Sequence, residues 1–353
     1  MSEQNGNIVR TMTSRCGFVS IIGRTNAGKS TLLNNLVGEK ISIVSPKVQT
    51  TRREIRGIIQ YASSQIIFVD TPGFCKGNTT LERALLTNFK RAYEGSDAVL
   101  MVIDCTIKNW KDDFQFLAQY QSETLNEVSV RDRTSVGNRP SVGSKSAKFT
   151  KPFAVVLNKV DKLSNKSKLL QIADELKNYD FIDEIFMISA LTGEGTAPIK
   201  AYLANILPES PWLYFDVDIE HCKKNNSQNN SYETKLNFST KTDLDLQTRL
   251  SEITRETVFE KLAQELPYSI YIQTDKISVT DKKIKLMQSI IVMRATQKAI
   301  VLGHNGSMIS DIRRASIAKM RTLFKKTIEL KLFVLVKENW TNAKEHLINA
   351  GII

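Results

Sequence analysis

The chain has 353 residues, a length that suits two domains with a core each. Hydrophobic residues at 41% and charged residues at 24% exclude collagen-like, coiled-coil and wholly disordered chains. A net charge of +12 favours a polyanionic partner, either nucleic acid or an anionic membrane surface. Four scattered cysteines without a CxxC pair indicate reduced thiols in a cytoplasmic compartment. A polar N-terminus and the lack of a long apolar run predict neither secretion nor a membrane span.

Two polar segments interrupt the globular pattern. One is rich in Ser, Arg and Gly, and the other contains a run of Lys, Asn, Ser and Gln, so both are interpreted as solvated insertions. The insertions cover about 121–150 and 223–248. We predict a polar tail (1–14), a first domain (15–210), a linker (211–256), and a second domain with a C-terminal tail (257–353).

Short apolar runs alternate with helical stretches in the first domain. The runs are Phe18–Ile22, Ile66–Val69, Ala98–Ile103, Phe153–Leu157 and Ile185–Ile188. This alternation is typical of repeated βα units. It predicts an α/β domain with a mainly parallel sheet and helices on both faces.

The second domain has a different pattern. We predict helix around Val258–Glu265, β-rich stretches near Ser269–Ile277 and Leu286–Leu302, then two helices and a final strand, Lys331–Val336. Residues 267–353 contain 15 Lys and Arg against 6 Asp and Glu, a net +9. A small α+β domain therefore carries most of the basic surface.

The first apolar run leads into a glycine-rich loop of the form GxxxxGK[ST]. The loop consists of Gly23, Arg24, Thr25, Asn26, Ala27, Gly28, Lys29 and Ser30, and Thr31 opens a helical stretch. In such a loop backbone N–H groups surround phosphates, Lys29 reaches the β- and γ-phosphates, and the Ser30 hydroxyl ligates Mg²⁺. A chance glycine-rich turn is the alternative, which the flanking strand and helix disfavour.

A second motif, Asp70-Thr71-Pro72-Gly73, follows the run that ends at Val69. At the end of a strand, Asp70 is placed to hold Mg²⁺ through water, and the Gly73 N–H can meet the γ-phosphate. Alone, the motif is typical of a β-turn. Its position behind the glycine-rich loop favours the nucleotide role.

Two further motifs predict that the base is guanine. Asn158-Lys159-Val160-Asp161 follows a strand, and the Asp161 carboxylate can accept hydrogen bonds from guanine N1–H and its exocyclic amino group. Adenine lacks both donors, so ATP would leave this carboxylate unpaired. The tripeptide Ser189-Ala190-Leu191 follows the next strand, where the Ala190 N–H is placed to reach guanine O6. Four ordered motifs therefore predict a domain that binds and hydrolyses GTP.

These motifs resemble those of the bacterial Era family, among the translation-factor-like GTPases. The stretch Pro46–Arg52, with its Gln49-Thr50-Thr51-Arg52 sequence, is similar to the first switch of that family. The resemblance implies that Thr51, or alternatively Thr50, completes the Mg²⁺ shell when the γ-phosphate is present. The neighbouring arginines are expected to be solvated, with RNA or phosphate contact as the alternative; they are Arg52, Arg53 and Arg56.

Phe74 stands where Ras-like proteins carry a water-orienting Gln. We therefore expect slow turnover, with electrostatic stabilisation from Lys29, Gly73 and the other loop amides, and from Mg²⁺ held with Thr51. Asn26 stands where related GTPases place a potassium-ligating Asn, so the resemblance suggests K⁺ as a further cofactor. Local bracing of the loop by Asn26 is the alternative.

A GxxG loop lies in the basic second domain. We predict a strand before it and a helix after it, which matches the plan of a KH domain: backbone passes close to single-stranded RNA, and an apolar groove accepts bases. The predicted RNA-binding residues are Lys298, Gly303, His304, Asn305, Gly306, Arg313 and Arg314. His304 and Asn305 replace the usual Lys-containing pair of that loop, which removes a permanent phosphate contact.

The resemblance to the Era family extends over this half, through Glu265–Ser269, Gln297, Lys298, the GxxG loop and Trp340. It implies a type II KH domain that binds the 3′ end of 16S rRNA and a protein that assists assembly of the 30S ribosomal subunit. Hydrolysis of GTP to GDP would act as the release signal. The resemblance also implies a cytoplasmic monomer with some peripheral attachment to the inner face of the cell membrane. A GTP-stabilised RNA chaperone and a tRNA-directed GTPase are the alternatives.

Overall fold

The computed structural model describes residues 14–45, 51–52, 54–73, 91–107, 109–111, 151–165, 167–214, 241–262, 270–338 and 340. Several predictions from the sequence lie outside these ranges. They concern the N-terminal tail, the first insertion and most of the second, and the residues Gln49, Thr50, Arg53, Phe74 and Glu265–Ser269.

The first domain is built on a six-stranded sheet with the order β2-β3-β1-β4-β5-β6. Only β2 runs antiparallel, against β3, and the other neighbouring pairs are parallel. The strands are β1 (Arg15–Ile22), β2 (Ile55–Tyr61), β3 (Ser64–Asp70), β4 (Ala98–Asp104), β5 (Phe153–Asn158) and β6 (Glu184–Met187). The mainly parallel sheet is confirmed, and the five predicted apolar runs coincide with strands except that Ile188 lies just after β6.

Helices cover both faces of this sheet, as predicted. They include α1 (Lys29–Val37), α2 (Ser167–Leu176) and α3 (Ala197–Ile206). One face packs against α1 and α3, and the other against α2. Successive residues of β4 serve opposite faces, because side chains alternate along a strand: Leu100 belongs to the first cluster and Met101 to the second.

The second domain combines a three-stranded sheet, β7-β8-β9, with helices. Its elements are α4 (Leu246–Lys261), β7 (Tyr271–Val279), β8 (Lys283–Val292), α5 (Ala295–Leu302), α6 (Ser307–Phe324) and β9 (Thr327–Val336). Strand β8 pairs antiparallel with β7 and parallel with β9. The Asp245 side chain caps α4 by accepting a hydrogen bond from the Thr248 N–H at 2.8 Å. This helix therefore begins within the segment predicted to be linker, before residue 257.

The segment that precedes the GxxG loop is a helix, so the prediction of a strand there was wrong. The apolar run Ala299–Leu302 favours a strand by composition, but a side-chain cap starts a helix upstream. Gln297 Oε1 accepts hydrogen bonds from the backbone N–H of Met293 at 2.8 Å and of Arg294 at 3.0 Å. A single helix, α6, then leads to β9, where the sequence predicted two helices.

The described ranges bear on two predictions from the sequence, namely reduced cysteines and the lack of a membrane span. Cys16 and Cys105 are buried free thiols there. Within the same ranges, three or more His, Cys, Asp or Glu side chains nowhere gather into a group that could hold a metal ion. Among the described helices, none has both the length and the apolar character needed to cross a membrane.

Candidate nucleotide and RNA sites

A cleft of about 420 Å³ opens at the carboxyl end of the parallel strands. This edge is where ligands bind in open α/β sheets. The cleft is lined by Thr25, Asn26, Gly28, Lys29, Ser30, Thr31, Ile43, Val44, Ser45, Thr51, Gly73, Asn158, Lys159, Asp161, Lys162, Ala190 and Leu191. The fold thus brings together residues from all four predicted nucleotide motifs.

The glycine-rich loop curls between β1 and α1. Gly28 has φ +101°, and a β-carbon there would lie 2.2 Å from Asn158 Nδ2, so the loop needs glycine at this point. Lys29 is buried, and its ammonium donates to the carbonyl oxygens of Gly23 at 3.1 Å and Arg24 at 2.8 Å. The loop's own carbonyls therefore hold the positive charge beside the cleft.

Three side-chain oxygens converge behind this lysine. Ser30 Oγ donates to Asp70 Oδ2 at 2.6 Å, and Thr51 Oγ1 lies 2.9 Å from Ser30 Oγ and 3.4 Å from Asp70 Oδ2. Burial raises the pKa of Asp70, while the charge of Lys29 opposes that rise. Its other oxygen, Oδ1, is buried and accepts no hydrogen bond from the described residues. An oxygen donor set with an orphaned carboxylate oxygen suits Mg²⁺, so the residues present fit this ion.

The loop from Asp70 to Gly73 lies against the glycine-rich loop. Thr71 and Pro72 are buried, and the Thr71 hydroxyl donates to the Ile21 carbonyl at 2.8 Å. A β-carbon on Gly73 would lie 2.5 Å from the Thr25 backbone nitrogen. This close approach places Gly73 in the lining of the cleft, beside the glycine-rich loop.

Asn158 connects the loops around the base end. Its side-chain amide donates to the Ala27 carbonyl at 2.8 Å, and its Oδ1 accepts the Ala190 N–H at 2.9 Å. That N–H was predicted to reach guanine O6, so the structure gives it a different partner. Asp161 and Leu191 line the cleft with exposed side chains, whereas Ser189 is fully buried beneath them.

Several site residues were not predicted from the sequence. Asp104, at the end of β4, accepts a hydrogen bond from the Lys159 ammonium at 2.5 Å, and Lys159 also donates to the Asn26 carbonyl at 2.7 Å. The signal in the sequence that could have identified Asp104 is an acidic residue at the end of a strand, beside the motif predicted to bind the base. Lys162 also lines the cleft, as do three consecutive residues after α1, and no sequence motif indicates any of them. The three residues are Ile43, Val44 and Ser45.

Arg52 is buried rather than solvated, at 2% exposure. Burial lowers its pKa to about 9, and the nearby charge of Arg255 acts in the same direction. Arg56 is half-buried, and its guanidinium donates to Asp243 at 3.2 Å. The expectation of solvated arginines after the first switch is therefore wrong for Arg52.

The second domain has a groove of about 370 Å³ beside the GxxG loop. It is lined by Ile309, Ser310, Arg313, Lys331, Leu332 and Phe333, from α6 and β9. Gly303, Asn305 and Gly306 all have positive φ, which forms the tight connection between α5 and α6. Of the predicted RNA-binding arginines, only Arg313 lines the groove, and the exposed Arg314 pairs with Asp311 on α6. Lys298 lies on α5 and His304 is exposed in the loop.

Comparisons with known proteins match both domains. A family model described as 50S ribosome-binding GTPase matches residues 18–135, and one described as KH domain matches residues 265–341. GTPase Era of Rhizobium meliloti (strain 1021) is 36% identical over 350 residues, which cover 99% of this chain and 96% of that protein. GTPase Era of Mesorhizobium japonicum is 35% identical over 343 residues, covering 97% and 95%.

Two solved structures extend this similarity to three dimensions. A crystal structure of an Aquifex aeolicus Era variant bound to GDP·AlF4⁻ has a TM-score of 0.77 and 28% identity, covering 96% of this chain and 99% of that chain. A crystal structure of Era with MgGDPNP and nucleotides 1506–1542 of 16S ribosomal RNA has the same values.

With the cleft and groove described above, these matches define a P-loop GTPase with a C-terminal KH domain. Relatives at more than 30% identity span nearly the whole chain. The chain belongs to the Era family of GTPases.

Gly73→Ala tests the close approach of the two phosphate-side loops. The added β-carbon would lie 2.5 Å from the Thr25 backbone, so we expect the Asp70–Gly73 loop to be displaced. Affinity for a non-hydrolysable GTP analogue should fall about tenfold or more relative to GDP, because loss of one charge-assisted hydrogen bond costs about 1.5–3 kcal/mol. Titration with fluorescent nucleotides measures both affinities. Gly95→Ala, whose β-carbon would meet only the Arg91 carbonyl at 3.2 Å, is the control and should leave the ratio unchanged.

Proposed function

We propose that this GTPase binds the 3′ end of 16S rRNA through its KH domain and assists assembly of the 30S subunit, with GTP hydrolysis as the release signal. The observation that carries the RNA part is the groove of α6 and β9, where Arg313 and Lys331 flank the exposed Phe333. Basic groups suit phosphates, and an aromatic face suits an unpaired base. The relative crystallised with nucleotides 1506–1542 of 16S rRNA supports this choice of RNA.

At the nucleotide site, each residue has a proposed role. Lys29 neutralises charge on the β- and γ-phosphates, and the Gly73 N–H binds the γ-phosphate. Mg²⁺ held by Ser30, Thr51 and Asp70 would withdraw charge from the phosphate oxygens. Asp161 reads the Watson–Crick edge of guanine. Catalysis then depends on positioning and electrostatics rather than on a side-chain base.

The predicted biological setting goes further than these two sites. A monomeric state, a cytoplasmic location and some peripheral attachment to the inner face of the membrane stay predictions from the family resemblance. Mapping RNA crosslinks of the protein bound to a GTP analogue tests the target. Crosslinks concentrated at the 3′ end of 16S rRNA support the proposal, whereas crosslinks concentrated on tRNA, or scattered, contradict it.

Asp161→Asn tests the guanine assignment. An amide presents a donor to guanine N1–H, so affinity for GTP should fall on the order of 100-fold, while affinity for xanthosine triphosphate should rise. Competition between the two nucleotides for the protein measures the switch. An unchanged preference for GTP would show that Asp161 does not bind the base.

Asn26 is the proposed K⁺ ligand. It lies at the cleft with an exposed side chain and φ +63°, and Lys159 holds its carbonyl. We expect GTP hydrolysis to be tenfold or more faster in K⁺ than in Na⁺ at equal ionic strength, by analogy with other charge-stabilising groups. Asn26→Gly accepts the same backbone angle and should abolish this difference. Equal rates in the two salts would contradict the proposal.

Gly306→Asp tests the KH assignment. Gly306 has φ +74° and a β-carbon there would meet nothing within 4 Å, and Asp tolerates this backbone region better than most residues. The new negative charge should repel RNA phosphate and lower RNA affinity about tenfold or more without changing GTP binding. Filter binding to an RNA carrying the 3′ end of 16S rRNA measures the loss. Gly306→Asn has nearly the same shape without the charge and should lose much less; equal losses would mean that the loop backbone, not charge, explains the effect.

A further inference from the structure

The two domains meet through the loop that follows α1. Arg249 donates to Glu39 at 2.7 Å, and Lys40 donates to Glu256 at 2.6 Å. The same carboxylate of Glu256 accepts the Val44 N–H through its other oxygen at 3.0 Å. Val44 itself lines the nucleotide cleft. Charged residues on α4 therefore hold the wall of the cleft from the side of the KH domain.

Arg52 makes the deepest contact between the domains. Its guanidinium donates to the Ile270 carbonyl at 2.7 Å and lies 5.9 Å from the ring centroids of both Phe259 and Trp340. Trp340 is fully buried, and its ring packs edge-on against Tyr271 at 4.8 Å. We call the carbonyl of Ile270 and the rings of Phe259 and Trp340 the aromatic socket. All of its members belong to the second domain.

The residue directly before Arg52 is Thr51, the proposed metal ligand. A peptide unit fixes the distance between neighbouring α-carbons at 3.8 Å, so the position of Arg52 restricts that of Thr51. Thr51 Oγ1 lies 2.9 Å from Ser30 Oγ while Arg52 occupies the socket. A buried guanidinium is costly without its partners, since desolvation is repaid only by good hydrogen bonds and cation–π contacts. Leaving the socket would therefore free Thr51 as well.

The socket helix α4 is also bonded to the helix that forms the RNA groove. Lys319, on α6, donates to Glu256 at 2.9 Å and lies 2.7 Å from Glu260. Helix α6 starts at Ser307, directly after the GxxG loop, and carries Arg313 into the groove. A continuous set of contacts thus joins the metal-ligating side of the cleft to the RNA groove.

We propose that Arg52 is a positioning residue that holds Thr51 at the metal site only while it occupies the aromatic socket, so that GTP·Mg²⁺ binding and docking of the KH domain favour each other. The inference rests on the proposed role of Thr51. Coupling between two sites is reciprocal, so the nucleotide must change RNA affinity by the factor by which RNA changes nucleotide affinity. GDP, which has no γ-phosphate, needs no Thr51 ligand and should couple less.

The test uses the full chain with Arg52→Met, which keeps the length of the side chain but removes the guanidinium. In Mg²⁺, affinity for a non-hydrolysable GTP analogue should fall about tenfold, within the usual range for coupled sites, while GDP affinity stays unchanged. Arg52→Lys should recover part of the loss. The matched control is Arg56→Met, which removes an arginine of β2 that pairs with Asp243 and should leave the ratio of GTP-analogue affinity to GDP affinity unaltered.

Trp340→Leu makes the same test from the other domain, at a residue that does not line the nucleotide cleft. It should lower the ratio of GTP-analogue affinity to GDP affinity and reduce the effect of nucleotide on RNA affinity. If circular dichroism shows that this variant does not fold, Phe259→Leu replaces it. A folded Arg52→Met protein with an unchanged ratio overturns the inference. So does an equal loss of GDP and GTP-analogue affinity, because it indicates a general structural role.

Thr51→Ala separates the two proposals. If Thr51→Ala lowers the ratio and Arg52→Met does not, the assignment of Thr51 as a metal ligand is supported and the positioning role of Arg52 is overturned. If Thr51→Ala leaves the ratio unchanged, the proposed role of Thr51 fails, and the inference that depends on it fails too. A lowered ratio in both variants, with normal GDP affinity, supports both.

Discussion

The nucleotide site depends on one buried side chain, Asn158. The register of the parallel strands places Asp70 of β3 beside Ile21 of β1, and Asn158 of β5 beside Asp104 of β4. The polar residues that end these strands therefore lie at the same edge of the sheet. Asn158 then bonds to the carbonyl of the glycine-rich loop and to the N–H of the loop after β6. Because a buried amide that loses its partners costs about 1–3 kcal/mol, these contacts hold the loops in place before any nucleotide arrives. Preorganised dipoles are what electrostatic catalysis requires.

The contact between the domains is chemically unlike the core of either. Helix α4 buries four charged side chains, and those that reach the first domain do so through ion pairs; the four are Arg249, Glu252, Arg255 and Glu256. Buried ion pairs contribute little net stability, because desolvation offsets their attraction. Charged contacts of this kind are what the proposed coupling requires, because the contact between the domains has to respond to a ligand.

The four central strands of the first domain were predictable because they are buried and appear as continuous apolar runs. The edge strand β2 is partly exposed and was not predicted. The phosphate and base motifs were predictable because short-range geometry fixes their chemistry. The helix Ala295–Leu302 was not, since its start depends on the contact of Gln297 with two backbone N–H groups. Arg52 was not either, because its partners Phe259, Ile270 and Trp340 lie more than 200 residues away. The contact that starts the helix is local, but Arg294 rather than Ser or Thr stands at its N-terminus, whereas the position of Arg52 is set by partners distant in the sequence.

In the proposed RNA groove, charge from other elements could compensate for the departure of the GxxG loop from the family pattern. His304 and Asn305 lack the permanent charge usual in that loop, yet Arg313 and Lys331 line the groove from two different elements. Phosphate attraction is long-ranged and sums over all nearby charges, so a cation lost from the loop can be replaced by cations beside it. At Gly303 the glycine itself cannot be replaced in this way, because its φ is +70° and a β-carbon there would lie 2.7 Å from Met308 Cβ. Gly303 is therefore the more stringent requirement of the loop, and His304 and Asn305 are the residues free to vary.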